Sequence, residues 1–424
     1  MKVTSLREKA RRALKALGVG VALAALSPLV VASLLIVYTF FRYRGAKPSQ
    51  VSCDAGRGRT PGVKTMSEVM KELEGIPFRA AVGVLFATLL TAVIETVPMV
   101  LNTASATAGF VYPYPDVFEP VMLESQDGTP VCGLLAMQPD RSQRPALITV
   151  HGLFTSKNTR SMLDLALRAY YVWGFHVFAL DLRNFGDSSR FSEAPTSWGY
   201  RESDDVLAAA EYLETIDEVS TVAACGASMG AASTLVAAAR SRLDGPLSGG
   251  VVAVNGYADA RGAVEHISGA GGGSLVRILT GLTFRLLLVI KTSLGGPRRF
   301  ADFREYTREL AGQYYEVSDE DIYRKASPVR TIREIEVPCL IIHAEDDQVV
   351  RVSEAEELVR AAANNPMVGA IIVPTGGHVL YPVMSRTWFY ETLRVFFTYW
   401  GEFGVDVGVS EVIDTLDMFG NPDN

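Results

Sequence analysis

The stretch Ser220-Thr221-Val222-Ala223-Ala224-Cys225-Gly226-Ala227-Ser228-Met229-Gly230, followed by the alanine-rich run Ala231–Ala239, decides how this chain is read. An apolar run with β-branched residues before the turn and a helix-favouring run after it predict strand, sharp turn, helix. A serine on such a turn sits in crowded backbone, so the positions two before and two after it must be small; both are glycine, Gly226 and Gly230. Its Oγ then stands clear of the sheet at the positive end of a helix, where an alkoxide and a developing oxyanion are favoured. Glycines flank serines by chance in many chains, so the weight rests on what lies to either side.

From about Asp116 onward, short apolar runs bounded by turn residues alternate with helical stretches, the pattern of a mostly parallel sheet covered by helices on both faces. Val117–Leu123 and Pro130–Met137 read as a hairpin across Gln126-Asp127-Gly128. Ala146–Val150 reads as the first buried strand and ends in His151-Gly152-Leu153. His176–Leu180 is the next, running into Asp181-Leu182-Arg183-Asn184-Phe185-Gly186-Asp187-Ser188. The acidic residues of Gly199–Val206 read as the solvated first turn of a helix that ends at Leu213. Beyond the central turn, Gly250–Val254 is a buried strand. The alternation stops at Gly256 and resumes with Val337–His343, which ends in Ala344-Glu345-Asp346-Asp347-Gln348-Val349-Val350. Ala370–Val373 leads to Thr375-Gly376-Gly377-His378, where glycines let the loop swing an imidazole back over the sheet, and Trp388–Trp400 closes the fold as a helix.

These motifs together resemble the α/β-hydrolase superfamily over roughly Asp116–Trp400. Asp181–Ser188 is similar to its Asp-x-Arg-Gly-x-Gly-x-Ser turn with Asn184 in place of glycine, and asparagine tolerates positive φ. His343–Val350 is similar to its His-Gly-x-x-Asp-x-x-Val turn with Ala344 in place of glycine. The resemblance implies an α/β-hydrolase fold with a cap insertion at about 256–331. It implies Ser228 as nucleophile, His378 as base and Asp347 as acid, with Glu345 and Asp346 within a one-residue error of register. It also implies the backbone N–H groups of Leu153 and Met229 as the oxyanion hole, and gives His151 a turn-holding role. The order Ser228, Asp347, His378 is that of this superfamily. The implied activity is cleavage of an acyl ester, lipid-like or otherwise apolar, with a peptidase or amidase of the same fold, or an inactive membrane scaffold, as alternatives. No cofactor is expected. No metal is expected either, because the three adjacent carboxylates lack a second ligand cluster.

Composition and the N-terminal third set the surroundings. With 424 residues, 48% of them hydrophobic, and a net charge of −7, a sizeable core is available and nucleic acid is an unsuitable partner. The four cysteines lack metal-ligand spacing and read as small buried hydrophobes. Basic residues crowd the start, and Ala16–Phe41 then carries no charge; as a helix it covers roughly 39 Å, against about 30 Å for a bilayer core. It reads as a transmembrane segment, the alternative being a cleaved signal peptide, whose core it exceeds and whose small-residue cleavage site is missing at Phe40-Phe41-Arg42. A second apolar stretch, Ala80–Leu101, is broken only by Glu95 and Pro98 and either spans or lies as an amphipathic helix on the membrane or the enzyme. The organisation expected is an anchor region over 1–111, a hydrolase domain over 112–401 and an acidic tail over 402–424, with a lipid bilayer and a small acyl substrate as partners. Orientation stays open: the basic N-terminus and the basic segment Arg42–Arg79 both favour the cytoplasm, which one span cannot satisfy, whereas the lack of Lys and Arg between Ala80 and Asp140 favours the outside. Within the cap, Ser274 reads as a helix cap and Leu275–Ile290 as a leucine-rich helix with a polar stripe at Arg277, Gly281 and Arg285. It either packs on the core or forms an apolar lid.

Overall fold

Apolar runs bounded by turns become the strands of a single sheet. The computed structural model describes residues 48–53, 65–80, 112–140, 142–242, 244–268, 282, 284–289, 291, 300 and 302–401. In chain order the main elements are β1 (Ser49–Ser52), α1 (Met66–Glu74), β2 (Glu119–Glu124), β3 (Pro130–Ala136), β4 (Arg144–Val150), α2 (Arg160–Tyr171), β5 (His176–Asp181), α3 (Glu202–Glu214) and β6 (Val219–Ala227). There follow α4 (Met229–Ala238), β7 (Gly250–Val254), α5 (Ala260–Ile267), α6 (Asp319–Lys325), β8 (Cys339–Ala344), α7 (Val352–Ala361), β9 (Val368–Val373) and α8 (Arg386–Trp400). Among the described residues the sheet has nine strands in the order β1-β9-β8-β7-β6-β4-β5-β3-β2. Strands β4 to β9 run parallel to one another, β2 and β3 pair antiparallel, and so do β3 with β5 and β1 with β9.

The central strands are buried along their whole length, so they read as continuous apolar runs, and alternate side chains serve opposite faces. Ile148, Ala224 and Ile341 join one core with α3, α4, α5 and α7. Leu147, Cys225 and Leu340 join the other with α1, α2 and α8. All four cysteines are free and buried.

Two elements come from the region that the sequence assigns to the membrane anchor. The polar strand β1 adds to the free edge of β9, from Ser49 opposite Ile372 to Ser52 opposite Gly369, and the Cys53 N–H donates to the Val368 carbonyl (3.1 Å). Helix α1 starts at a capping box of Thr65 and Glu68. It buries Met66, Val69, Met70 and Leu73 on one stripe, and Tyr399 of α8 donates to the Glu68 carboxylate (2.9 Å). A Cβ on Gly369 would stand 3.0 Å from atoms of Met66 and Met70, so the bare glycine is what lets α1 lie this close to β9. Ala16–Phe41, all of Ala80–Leu101 except Ala80, and the tail 402–424 lie outside the described residues. Among the described residues no helix is long and apolar enough to cross a membrane.

The acidic start of α3 is not a solvated face. Glu202, Asp204 and Asp205 are buried because each carboxylate has donors waiting. Glu202 accepts from the Thr196 and Ser197 hydroxyls (2.6 and 2.8 Å) and from the Ser197 and Gly199 N–H groups (2.8 Å each). Asp205 holds the buried Arg183 guanidinium, which also reaches Asp127 and the Ser125 hydroxyl. Burial pushes the Asp205 carboxyl up to about 6 even against that guanidinium.

The cap is seated through aromatic rings: Phe154 lies 6.1 Å from Phe284 and 6.2 Å from Phe303 between centroids, and Trp198 Nε1 donates to Thr307 (2.8 Å). Of the described leucines in 275–290, Leu287 and Leu288 are buried whereas Leu282 and Leu286 are exposed. The polar stripe reduces, among described residues, to Arg285, whose guanidinium donates to the Ser268 carbonyl. One face therefore packs on the core and the other meets solvent.

Candidate active site

Ser228 sits between β6 and α4 with φ 56° and ψ −121°, outside the regions open to most side chains. Such a conformation costs on the order of 1–3 kcal/mol and persists only where the surroundings enforce it. Here the Ser228 N–H donates to the Val254 carbonyl of β7 (2.9 Å), and the Ser228 carbonyl opens α4 by accepting from Ala231 and Ala232 (3.0 and 3.2 Å). Both flanking glycines are required: a Cβ on Gly226 would lie 2.3 Å from the Gly230 carbonyl oxygen, and one on Gly230 would lie 2.4 Å from that of His151. Phe154, Asn255 and Val379, each next to a residue of the site or its support, also have positive φ (58°, 52° and 53°).

The structure brings Ser228, His378 and Asp347 into one chain of hydrogen bonds. His378 Nε2 is 3.0 Å from Ser228 Oγ, and His378 Nδ1 is 2.9 Å from Asp347 Oδ2. The Asp347 side chain is 0% exposed and that of His378 21%. Asp347 Oδ1 accepts from the Val349 and Val350 N–H groups (2.7 and 3.0 Å), and Oδ2 also accepts from Asn255 Nδ2. Burial by itself raises the Asp347 carboxyl, but the neighbouring imidazole of His378 and these donors outweigh it and hold its pKa below the ordinary carboxylate value.

The neighbouring carboxylate has a different task. Asp346 Oδ1 accepts from the Gly376 and Gly377 N–H groups (3.0 and 2.8 Å), and Oδ2 accepts from the Thr375 hydroxyl (2.6 Å). It thus fixes the loop that delivers His378, while Glu345 is exposed. Asn255 and Tyr381 extend the support: Tyr381 donates to Asn255 Oδ1 (2.7 Å), and Asn255 Nδ2 also donates to the Gly377 carbonyl (3.1 Å). Neither residue stands out in sequence, since the signal for Asn255 is only a polar residue directly after the apolar β7. Asp259, the other acid after that strand, caps α5 by accepting from Gly262 (2.7 Å).

His151 holds the turn after β4. Its Nε2 accepts from the Leu182 N–H (3.1 Å) and its Nδ1–H donates to the Gly152 carbonyl (2.8 Å), a pattern that requires the neutral ring; burial lowers its pKa accordingly. A Cβ on Gly152 would stand 3.0 Å from Ser228 Cβ, so glycine lets this turn approach the serine. Leu153 follows, and Met229 is the first residue of α4, where N–H groups have no helical acceptor. Neither N–H is spent on a hydrogen bond among the described residues.

Residues 147–391, more than half of the chain, match the family model described as "Alpha/beta hydrolase family". The chain belongs to the alpha/beta hydrolase family. No curated protein matches it by sequence. Among solved structures this hydrolase is similar to an esterase of Pyrococcus furiosus, at 16% identity and a TM-score of 0.49 over 69% of this chain and 96% of that one. It is also similar to a puromycin-hydrolysing peptidase of Mycobacterium tuberculosis (20%, TM-score 0.45, 68% of this chain and 41% of that one). A third is an acylaminoacyl peptidase of Pyrococcus horikoshii (15%, TM-score 0.46, 72% and 46%).

In this hydrolase Ser228 and His378 open into a cavity of about 360 Å³ whose walls include Leu153, Met162, Leu165, Val254, Val379 and Phe389. Phe284 of the cap forms part of the same wall. A larger depression of about 670 Å³, between residues 333–336 and 363–367, contains none of the residues above. Among the described residues no three His, Cys, Asp or Glu side chains gather as a metal site would require.

Proposed function

We propose that this protein is a serine hydrolase that cleaves an acyl ester through Ser228, His378 and Asp347. The observation that carries this reading is the unbroken hydrogen-bonded path from Ser228 Oγ through both nitrogens of His378 to Asp347, at the wall of a largely apolar cavity. His378 Nε2 takes the Ser228 proton as Oγ attacks the carbonyl carbon, and the Leu153 and Met229 N–H groups stabilise the oxyanion. Collapse of the tetrahedral species breaks the C–O bond, and the imidazolium gives its proton to the departing alcohol. Water, deprotonated by the same imidazole, then attacks the acyl-serine and releases the carboxylic acid, so one ester and one water yield one acid and one alcohol. Asp347 keeps the proton on Nδ1 and balances the imidazolium.

Fluorophosphonate labelling tests the reading. The wild-type protein is expected to label at Ser228, and Ser228→Ala to lose both the label and ester turnover by several orders of magnitude. Labelling at another serine with turnover unchanged would overturn the assignment. An integral anchor at Ala16–Phe41 belongs to the same proposal, supported by the length and lack of charge of that segment. The full chain should then resist carbonate extraction from membranes, and release into the supernatant would refute the anchor.

A further inference from the structure

The cavity beside Ser228 has apolar walls but is not uncharged. Three ionised side chains line it together with the serine: Arg160, Asp164 and Arg386. Asp164 is already shared, since it accepts from Arg386 (3.0 and 3.2 Å) and from the Tyr390 hydroxyl (2.7 Å) and lies 3.6 Å from Arg168 behind the wall. Arg160 has neither an ion pair nor a hydrogen bond among the described residues, and Arg386 Nε is buried there without a partner. With Arg168 also on Asp164, this one carboxylate is shared by two guanidinium groups, and Arg160 adds a further positive charge, so this part of the wall is net positive.

The backbone adds to the same sign. Helix α2 begins in this wall at Thr159 and Arg160, and its twelve residues carry no acidic side chain in the first turn. The Thr159 hydroxyl turns back to the Ser156 carbonyl (3.0 Å) instead of capping the helix, so the positive end of the helix dipole adds to the positive potential of this wall. Arg160 is half-buried and the Arg386 side chain is 31% exposed, so both reach the cavity's water, and Arg160 is left there without a carboxylate among the described residues. It is the arrangement expected where a ligand brings the missing charge.

We propose that the substrate is an acyl ester carrying an anionic oxygen group, a carboxylate or a phosphate ester, which Arg160 and Arg386 hold while the apolar walls take the hydrocarbon between that group and the scissile carbonyl. The inference rests on the reading of Ser228 as the nucleophile and narrows its substrate class.

The test compares two activated esters of equal chain length, neutral 4-nitrophenyl hexanoate and the anionic mono-4-nitrophenyl adipate, on the full-length protein. The ratio of kcat/KM, anionic over neutral, is expected to exceed one at low salt and to fall as ionic strength rises. Arg160→Gln should lower that ratio by about tenfold, and Arg160→Lys should restore part of it. A ratio well below one in the wild type, or one that Arg160→Gln leaves unchanged, would overturn the proposal. Binding without turnover supplies an independent measurement: monomethyl adipate should raise the melting temperature of the Ser228→Ala protein, and the rise should be lost when Arg160→Gln is added. No shift with Arg160 intact would equally refute the anion subsite, whereas a shift in a wild-type protein that hydrolyses neither ester would refute only the role of Ser228.

Discussion

Replacing the adjacent aspartates one at a time by asparagine should separate their tasks by orders of magnitude, and the atoms they touch say why. In Asp347→Asn the carbonyl oxygen must stay where Oδ1 is, because the Val349 and Val350 N–H groups both point there. The new NH2 then falls at the Oδ2 position, facing His378 Nδ1 and Asn255 Nδ2. Donor meets donor, and the imidazole relieves the conflict by moving its proton to Nε2, the nitrogen that must accept from Ser228. The wrong tautomer in an otherwise intact site costs about 10⁴ in kcat. In Asp346→Asn the same logic is benign: Oδ1 still accepts from Gly376 and Gly377, and the NH2 at Oδ2 meets a Thr375 hydroxyl that can rotate to accept. Only the charge assistance of three hydrogen bonds is lost, roughly 1–2 kcal/mol spread over a loop, so kcat should fall no more than about tenfold. Turnover of 4-nitrophenyl butyrate and the rate of fluorophosphonate labelling read both variants, with melting temperature as the check on folding. Equal losses, or an Asp347→Asn protein that keeps more than a tenth of its activity, would refute the reasoning.

Three further outcomes follow from burial. Lys291 is buried with its ammonium on the Asn184 carbonyl and over the Phe185 ring, and burial pushes its pKa down to about 7. The unfolded chain holds that proton up to about pH 10.4, so this group makes stability rise between pH 7 and 10; the stability of wild type relative to Lys291→Met should increase by on the order of a few kcal/mol across that window, and a flat difference would refute it. Leu286→Gln on the exposed face of the cap should change unfolding free energy by less than about 0.5 kcal/mol, whereas Leu288→Ala on the buried face should cost roughly 2–5 kcal/mol. A chain starting at Thr103 lacks β1 and α1 and so loses four buried side chains worth roughly 1.5–3 kcal/mol each. It should melt at least about 10 °C below one starting at Pro48 and aggregate through the bared edge of β9, as light scattering would register.

Much of the sheet was legible because parallel strands buried on both faces are spelled as uninterrupted apolar runs, as in Ala146–Val150 and Gly250–Val254. The residues that the structure joins by hydrogen bonds, Ser228, Asp347 and His378, were legible because each follows such a strand on a turn with its own residue pattern. What escaped was whatever depends on partners distant in sequence. Glu202, Asp204 and Asp205 look like a solvated helix start until Arg183 and the Thr196–Gly199 loop are folded against them. Strand β1, Ser-Gln-Val-Ser, has no apolar periodicity because an edge strand is held by backbone hydrogen bonds. Asn255 carries no local signal, since its value lies in reaching Asp347 and Tyr381 at once.

The pairing of β1 with β9 fixes where the folded body begins. The chain enters the folded body at Pro48, is still part of it at Ala80 and is part of it again at Tyr112. A cut within 81–111 would therefore leave two pieces of one body, held together by that pairing and by the buried stripe of α1.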